Sequence, residues 1–185
     1  MKLIDADCSV LVLVDYQPRL LPAIQGGAQA LAEAVRLADV ARLLGIRVVG
    51  TQQNPEGLGC SDEAIGRRCD AMLTKMHFDA CADGLIGLLN GPDRPAPREV
   101  VIGGCEAHVC LLQTALGLLR AGLTVRVVAQ ASGSRTAENR ELALERLRLA
   151  GASIVGSEMV IFEWLQSCEH PDFRQVLALV KSGLP

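Results

Sequence analysis

The chain predicts an α/β fold: three αβα layers, with a six-stranded parallel sheet covered by helices on both faces. Two observations carry this. Short continuous apolar runs of strand length recur, chiefly SVLVLV (9–14) and REVVIGG (98–104). Runs without polar alternation suit parallel strands buried on both faces. The segments between such runs carry apolar residues at helical spacing, and strand–helix alternation argues for a parallel sheet. The 185 residues read as one domain, 1–185, and half of them are hydrophobic, which is enough for a sizeable core.

The elements follow in order. Ser9–Val14 is the first strand, ended by Asp15. Gly27–Leu44 carries Leu31, Val35, Ala38, Ala41 and Leu44 at helical spacing, and Gly45 closes that helix. Arg47–Thr51 is the second strand, Gln52–Arg68 reads as irregular, and Ala71–Lys75 as the third strand. Ala82–Leu89 predicts a short helix, and NGPDRPAPR (90–98) a loop dense in turn formers. Glu99–Gly103 is the fourth strand, Val109–Ala121 the helix after it, and Leu123–Ala129 the fifth strand. Thr136–Ala150 is the clearest helix, with Leu142, Leu144, Leu147 and Leu149 as its apolar side and Gly151 past its end. Ser153–Val155 makes a sixth short strand, and 159–165 and 172–181 close the fold as helices.

Composition narrows the function classes. A net charge of −3 without a single-sign block gives no basic footprint, so no nucleic-acid partner is expected. No apolar run reaches the ~18–20 residues that span a bilayer, so no membrane partner is expected. The N-terminus lacks the basic start and small-residue cleavage site of a signal peptide. Seven cysteines, an odd number without paired spacing, fit a reducing cytoplasm better than a disulfide framework. There is no G-x-G-x-x-G after the first strand and no G-x-x-x-x-G-K-[ST], which disfavours nucleotide chemistry. Cys110 has Leu116 six residues on, where a cysteine phosphatase needs arginine.

In parallel α/β sheets ligands bind at the carboxyl ends of the strands. Asp15, Lys75 and Cys110 fall at or just past three such ends. A thiol in the first turn of a helix meets unpaired N–H groups and the positive end of the dipole, so a thiolate is expected at Cys110. Asp15 is the candidate proton acceptor, and Lys75 supplies positive charge. Together the three make a covalent hydrolase site; singly, each has an ordinary structural explanation.

The ordered set LVLVDYQPRL (11–20), LTKMHFDA (73–80) and IGGCEAHVCLLQTALGLLRAG (102–122) resembles the isochorismatase-like cysteine hydrolases, and the resemblance continues through 134–165. It implies a Rossmann-like isochorismatase-type fold, with Asp15, Lys75 and Cys110 as the catalytic triad. It also implies a cis peptide at Cys105–Glu106, whose Glu106 N–H joins the Cys110 N–H in an oxyanion hole. Nicotinamidases of that superfamily hold a metal through an Asp-x-His motif and a second His. Here the matching segment is TQQNPEGLG (51–59), with neither, so no metal and no cofactor are expected. The expected activity is metal-independent hydrolysis of a small-molecule amide or related C–N bond through an acyl-cysteine. Isochorismatase-type ether hydrolysis and a non-catalytic oligomeric binding protein stand as alternatives.

Substrate contacts are expected from Gln17, His77, Phe78 and His108, which lie close to Asp15, Lys75 and Cys110 in sequence, and the resemblance adds Gln53 and Asn54, in the loop where related enzymes contact substrate. A homo-oligomer, a dimer or higher, is expected from the resemblance.

Overall fold

The computed structural model describes residues 2–91 and 97–182. Its six strands are β1 (Ser9–Val14), β2 (Arg47–Gln53), β3 (Ala71–Lys75), β4 (Glu99–Cys105), β5 (Thr124–Gly133) and β6 (Ser153–Val155). They form one sheet in the order β3-β2-β1-β4-β5-β6, and every pairing is parallel. The chain builds outward from β1 through β2 to β3, then returns to the other side of β1 as β4. The direction of winding therefore reverses between β1 and β4, the position whose carboxyl ends hold the ligand crevice in sheets of this kind.

Among the described residues the α-helices are α1 (Gly27–Leu43), α2 (Pro55–Leu58), α3 (Glu63–Gly66), α4 (Leu85–Leu89), α5 (Leu112–Arg120), α6 (Ala137–Leu149), α7 (Ser157–Leu165) and α8 (Phe173–Ser182). Alternate residues of β1 face opposite layers. Leu11 and Leu13 pack with Leu37 of α1, Val160 of α7 and Val176 of α8. Val10, Val12 and Val14 pack with Leu89 of α4, Leu118 of α5 and Leu147 of α6. Both faces are closed, which is why β1 reads as an unbroken apolar run. Burying each such side chain contributes about 1.5–3 kcal/mol.

Several boundaries differ from those the sequence predicts. The predicted 82–89 helix is a 3₁₀ turn (Ala80–Asp83) followed by α4, broken at Gly84 with φ 98°. The stretch read as irregular contains α2 and α3, the latter capped by the Asp62 carboxylate accepting from Ala64 N–H. β2 runs two residues further, so Gln53 lies in the strand. β5 runs on to Gly133, because a register shift opposite Ile102–Gly104 lets Ser132 and Gly133 pair with Gly104 and Cys105. On α6, Leu144 and Leu147 are buried, but Leu142 and Leu149 are exposed on another face. Thr136 caps that helix, accepting from Asn139 N–H at 3.2 Å. Much of the predicted 90–98 loop lies outside the described residues.

Candidate active site

β1 and β4 approach closely at their carboxyl ends, and Gly104 permits it. A methyl added there would lie 2.5 Å from both Val14 Cβ and Val14 O. Val14 pairs with Gly104 on one side and Thr51 on the other. The next residue, Asp15, turns at φ 54° and carries its carboxylate into the buried crevice. Across β2, Gln53 pairs directly with Lys75 at the end of β3.

These registers bring the predicted groups together. Lys75 Nζ donates to Asp15 Oδ2 at 2.7 Å, and both side chains are fully withdrawn from solvent. Thr51 Oγ1 donates to the other carboxylate oxygen, Oδ1, at 2.6 Å. The charged groups that act on the buried Cys110 thiol are Asp15 and Lys75. A buried ion pair persists only where hydrogen bonds satisfy its remaining donors and acceptors, and Thr51 and Gln53 supply them here.

Cys110 does not sit in the first turn of an α-helix. Ala107–Leu111 form one turn of π-helix, in which Leu111 N–H donates to Glu106 O at 3.3 Å, and α5 follows. The expected resting thiolate is overturned as well. Burial, followed by the neighbouring Asp15 charge, pushes the thiol up to about 12, against the opposing pull of Lys75. Helix-start N–H groups do not outweigh desolvation at a site this enclosed. The resting sulfur is therefore held toward the neutral thiol, and it becomes nucleophilic as its proton leaves.

The Cys105–Glu106 peptide is cis. Cys105 is fully buried, and its thiol is pushed up to about 12, chiefly by that burial. The Glu106 side chain turns to Arg135, which donates to it from Nη2 at 2.5 Å, from Nε at 2.9 Å and from its backbone N–H at 3.1 Å. This pairing, chiefly its side-chain hydrogen bond, holds the Glu106 carboxyl below its ordinary range.

The remaining candidates divide. Gln53 reaches the centre, with Oε1 accepting from Lys75 Nζ at 2.6 Å. Gln17 is buried but clamps backbone instead: Nε2 donates to Gln53 O and Gly59 O, and Oε1 accepts from Gln53 N–H. Asn54 turns the chain at φ 39° ahead of α2. The His77 ring faces Asp83 at 2.8 Å, and only its carbonyl meets Lys75 Nζ, at 3.4 Å. Phe78 is exposed. His108 Nδ1 lies 3.1 Å from Ser134 Oγ. Sequence reasoning missed Thr51, whose only signal is its place on β2 as the partner of Val14, the residue before Asp15, and it missed the Glu106–Arg135 pair. Among the described residues, no three His, Cys, Asp or Glu side chains gather as a metal-ligand set, and no helix is long and apolar enough to cross a membrane.

Comparison with known proteins adds the family. The isochorismatase domain model matches residues 9–159. Isochorismatase domain-containing protein 2A of Mus musculus is 35% identical over 97% of this chain and 85% of its own length. A solved structure described as MAR1 ribonuclease from Caenorhabditis elegans superposes with a TM-score of 0.91 and 30% identity, covering 100% of this chain and 95% of that one. The YcaC gene product of Escherichia coli, described as an octameric hydrolase of unknown specificity, shares the fold at a TM-score of 0.81 and 19% identity, over 98% of each chain. With its six-stranded parallel sheet and 151 consecutive residues matched by that model (9 through 159 inclusive), the chain belongs to the isochorismatase family and has its hydrolase fold.

Proposed function

We propose that the chain is a cysteine-dependent hydrolase of a small-molecule amide or related C–N bond, working without a metal. The observation that carries this is the meeting of Asp15, Lys75 and Cys110 in one buried cluster, although they are far apart in sequence.

In this reading, substrate enters beyond the ends of β1 and β4. Cys110 Sγ attacks the carbonyl carbon as its proton passes to Asp15, whose charge acts on the thiol. The carbonyl π pair moves onto oxygen, and the N–H groups of Glu106 and Cys110 receive that oxyanion. As the oxyanion collapses, the C–N bond breaks and Asp15 returns its proton to the leaving nitrogen. Water then attacks the thioester, Asp15 takes a proton from it, and the expelled sulfur recovers that proton. Lys75 stays charged throughout and offsets the negative charge that moves between carboxylate and sulfur.

Incubation with a panel of small carboxamides, ureas and carbamoyl compounds tests the proposal by product release. The parent turns over at least one of them and Cys110→Ala none; turnover by Cys110→Ala overturns it. A second reading, RNA cleavage, rests on the description of the 30%-identical C. elegans structure. The net charge of −3 and the absence of a basic footprint run against it. A labelled RNA cut by the parent but not by Cys110→Ala would favour it. Assembly into a homo-oligomer and residence in the cytoplasm belong to the same proposal. Sedimentation at working concentration tests the first, and a monomer would refute it.

A further inference from the structure

We infer that Gln53 is a positioning residue: its side-chain amide fixes the Lys75 ammonium so that one N–H is left to the Cys110 sulfur. This deepens the proposed hydrolase reading and rests on it.

An ammonium has three N–H donors. Lys75 Nζ donates to three oxygens, Asp15 Oδ2 at 2.7 Å, Gln53 Oε1 at 2.6 Å and His77 O at 3.4 Å, and the Cys110 thiol lies within reach of its charge. The two short bonds occupy two donors. The third is shared between a distant carbonyl and the sulfur. Without the Gln53 bond, a second donor would be free to turn toward the His77 carbonyl and away from the sulfur. With it, the remaining N–H has one strong destination once sulfur gains charge.

The Gln53 amide is itself held so that its oxygen faces the ammonium. Its nitrogen donates to Met76 O at 2.7 Å. Its backbone is bracketed by Gln17, which accepts from Gln53 N–H at 2.9 Å and donates to Gln53 O at 3.0 Å. Gln53 and Lys75 are direct partners across β2 and β3, so the side chains leave from neighbouring backbone positions. A flipped amide would set two donors against the ammonium and a carbonyl against the Met76 oxygen, so both contacts favour the observed orientation. A neutral acceptor also matters electrostatically. A carboxylate at this position would compete with Asp15 for Lys75 and repel the sulfur anion.

The test is the alkylation rate of Cys110 by iodoacetamide between pH 7 and 10, measured by peptide mass in a Cys60→Ser, Cys168→Ser background that removes two exposed thiols. In this range the rate follows the thiolate fraction, because burial pushes the thiol up to about 12. Gln53→Glu, nearly isosteric, is expected to slow labelling about tenfold at every pH, the equivalent of about one pH unit. Gln53→Leu is expected to slow it in the same direction. Gln52→Glu is the control. Its side chain bonds Thr74 and the Ser61 N–H, away from Lys75, and its labelling should match the parent.

Parent-like labelling in folded Gln53→Glu overturns the inference, and so does equal slowing in Gln52→Glu, which would reduce the effect to net charge. Asp15→Asn separates the two levels. If it alters Cys110 labelling and Gln53→Glu does not, only the role of Gln53 falls. If neither alters it, the underlying cysteine reading falls with it.

Discussion

Lys75 Nζ stands 2.7 Å from Asp15 Oδ2, with neither side chain reaching solvent. The carboxyl ends of two strands meet in that contact, β1 through Asp15 and β3 through Lys75, with β2 between them. Removing one partner leaves an uncompensated buried charge. Lys75→Met is expected to lower unfolding free energy by about 3–5 kcal/mol. The double variant Asp15→Asn, Lys75→Met should recover part of that loss, since it buries no lone charge. Urea denaturation of the parent and both variants measures this; a double variant less stable than Lys75→Met contradicts the pairing.

Thr51→Val removes the donor to Asp15 Oδ1 while keeping the side-chain volume. The carboxylate oxygen is then buried without that partner, at a cost of about 1–3 kcal/mol. The same denaturation experiment reads it, and an unchanged midpoint would mean that the bond contributes nothing.

Gly104→Ala places a methyl into Val14 Cβ and carbonyl oxygen, both backbone-fixed neighbours. β4 has to move away from β1, and with it the turn that carries Cys110. The expected loss is about 1–3 kcal/mol in stability, with acyl transfer to Cys110 falling further than stability does. A fully active Gly104→Ala would show that the close approach of the two strands is not needed.

The Glu106–Arg135 pair gives a pH dependence with a definite sign. Because its folded-state carboxyl is depressed, Glu106 adds stability above the unfolded value of about 4.3, and that contribution is lost as pH falls through the lower folded value. Arg135→Ala should therefore be less stable than the parent at pH 7, and the two should converge as pH drops below about 4. Parallel curves at pH 7 and pH 3 would contradict the pairing.

Much of this was readable in the residues, for identifiable reasons. β1, β3 and β6 begin and end where the sequence predicts, because each apolar run is bounded by residues of another kind. The placement of Asp15 and Lys75 at strand ends followed from those bounds, whereas β4, which leads to Cys110, runs two residues past its predicted end at Gly103. What they touch did not. Thr51 and Gln53 matter through parallel register, which a periodic pattern does not reveal. The thiol was expected to be acidic from its place near a helix start. Burial reverses that, and burial at a strand-end crevice depends on three strands and a π turn coming together. Leu142 and Leu149 share helical spacing with each other, and only packing shows that Leu144 and Leu147 face the sheet.

The central claim is that sulfur at position 110 carries the acyl group. Intact-protein mass spectrometry after brief mixing with a turned-over amide, followed by peptide mapping, addresses it most directly. The expected result is a transient mass increase equal to the acyl fragment, located on Cys110 and absent from Cys110→Ala. Amide cleavage with no adduct on Cys110 at any mixing time, and undiminished in Cys110→Ala, would contradict it.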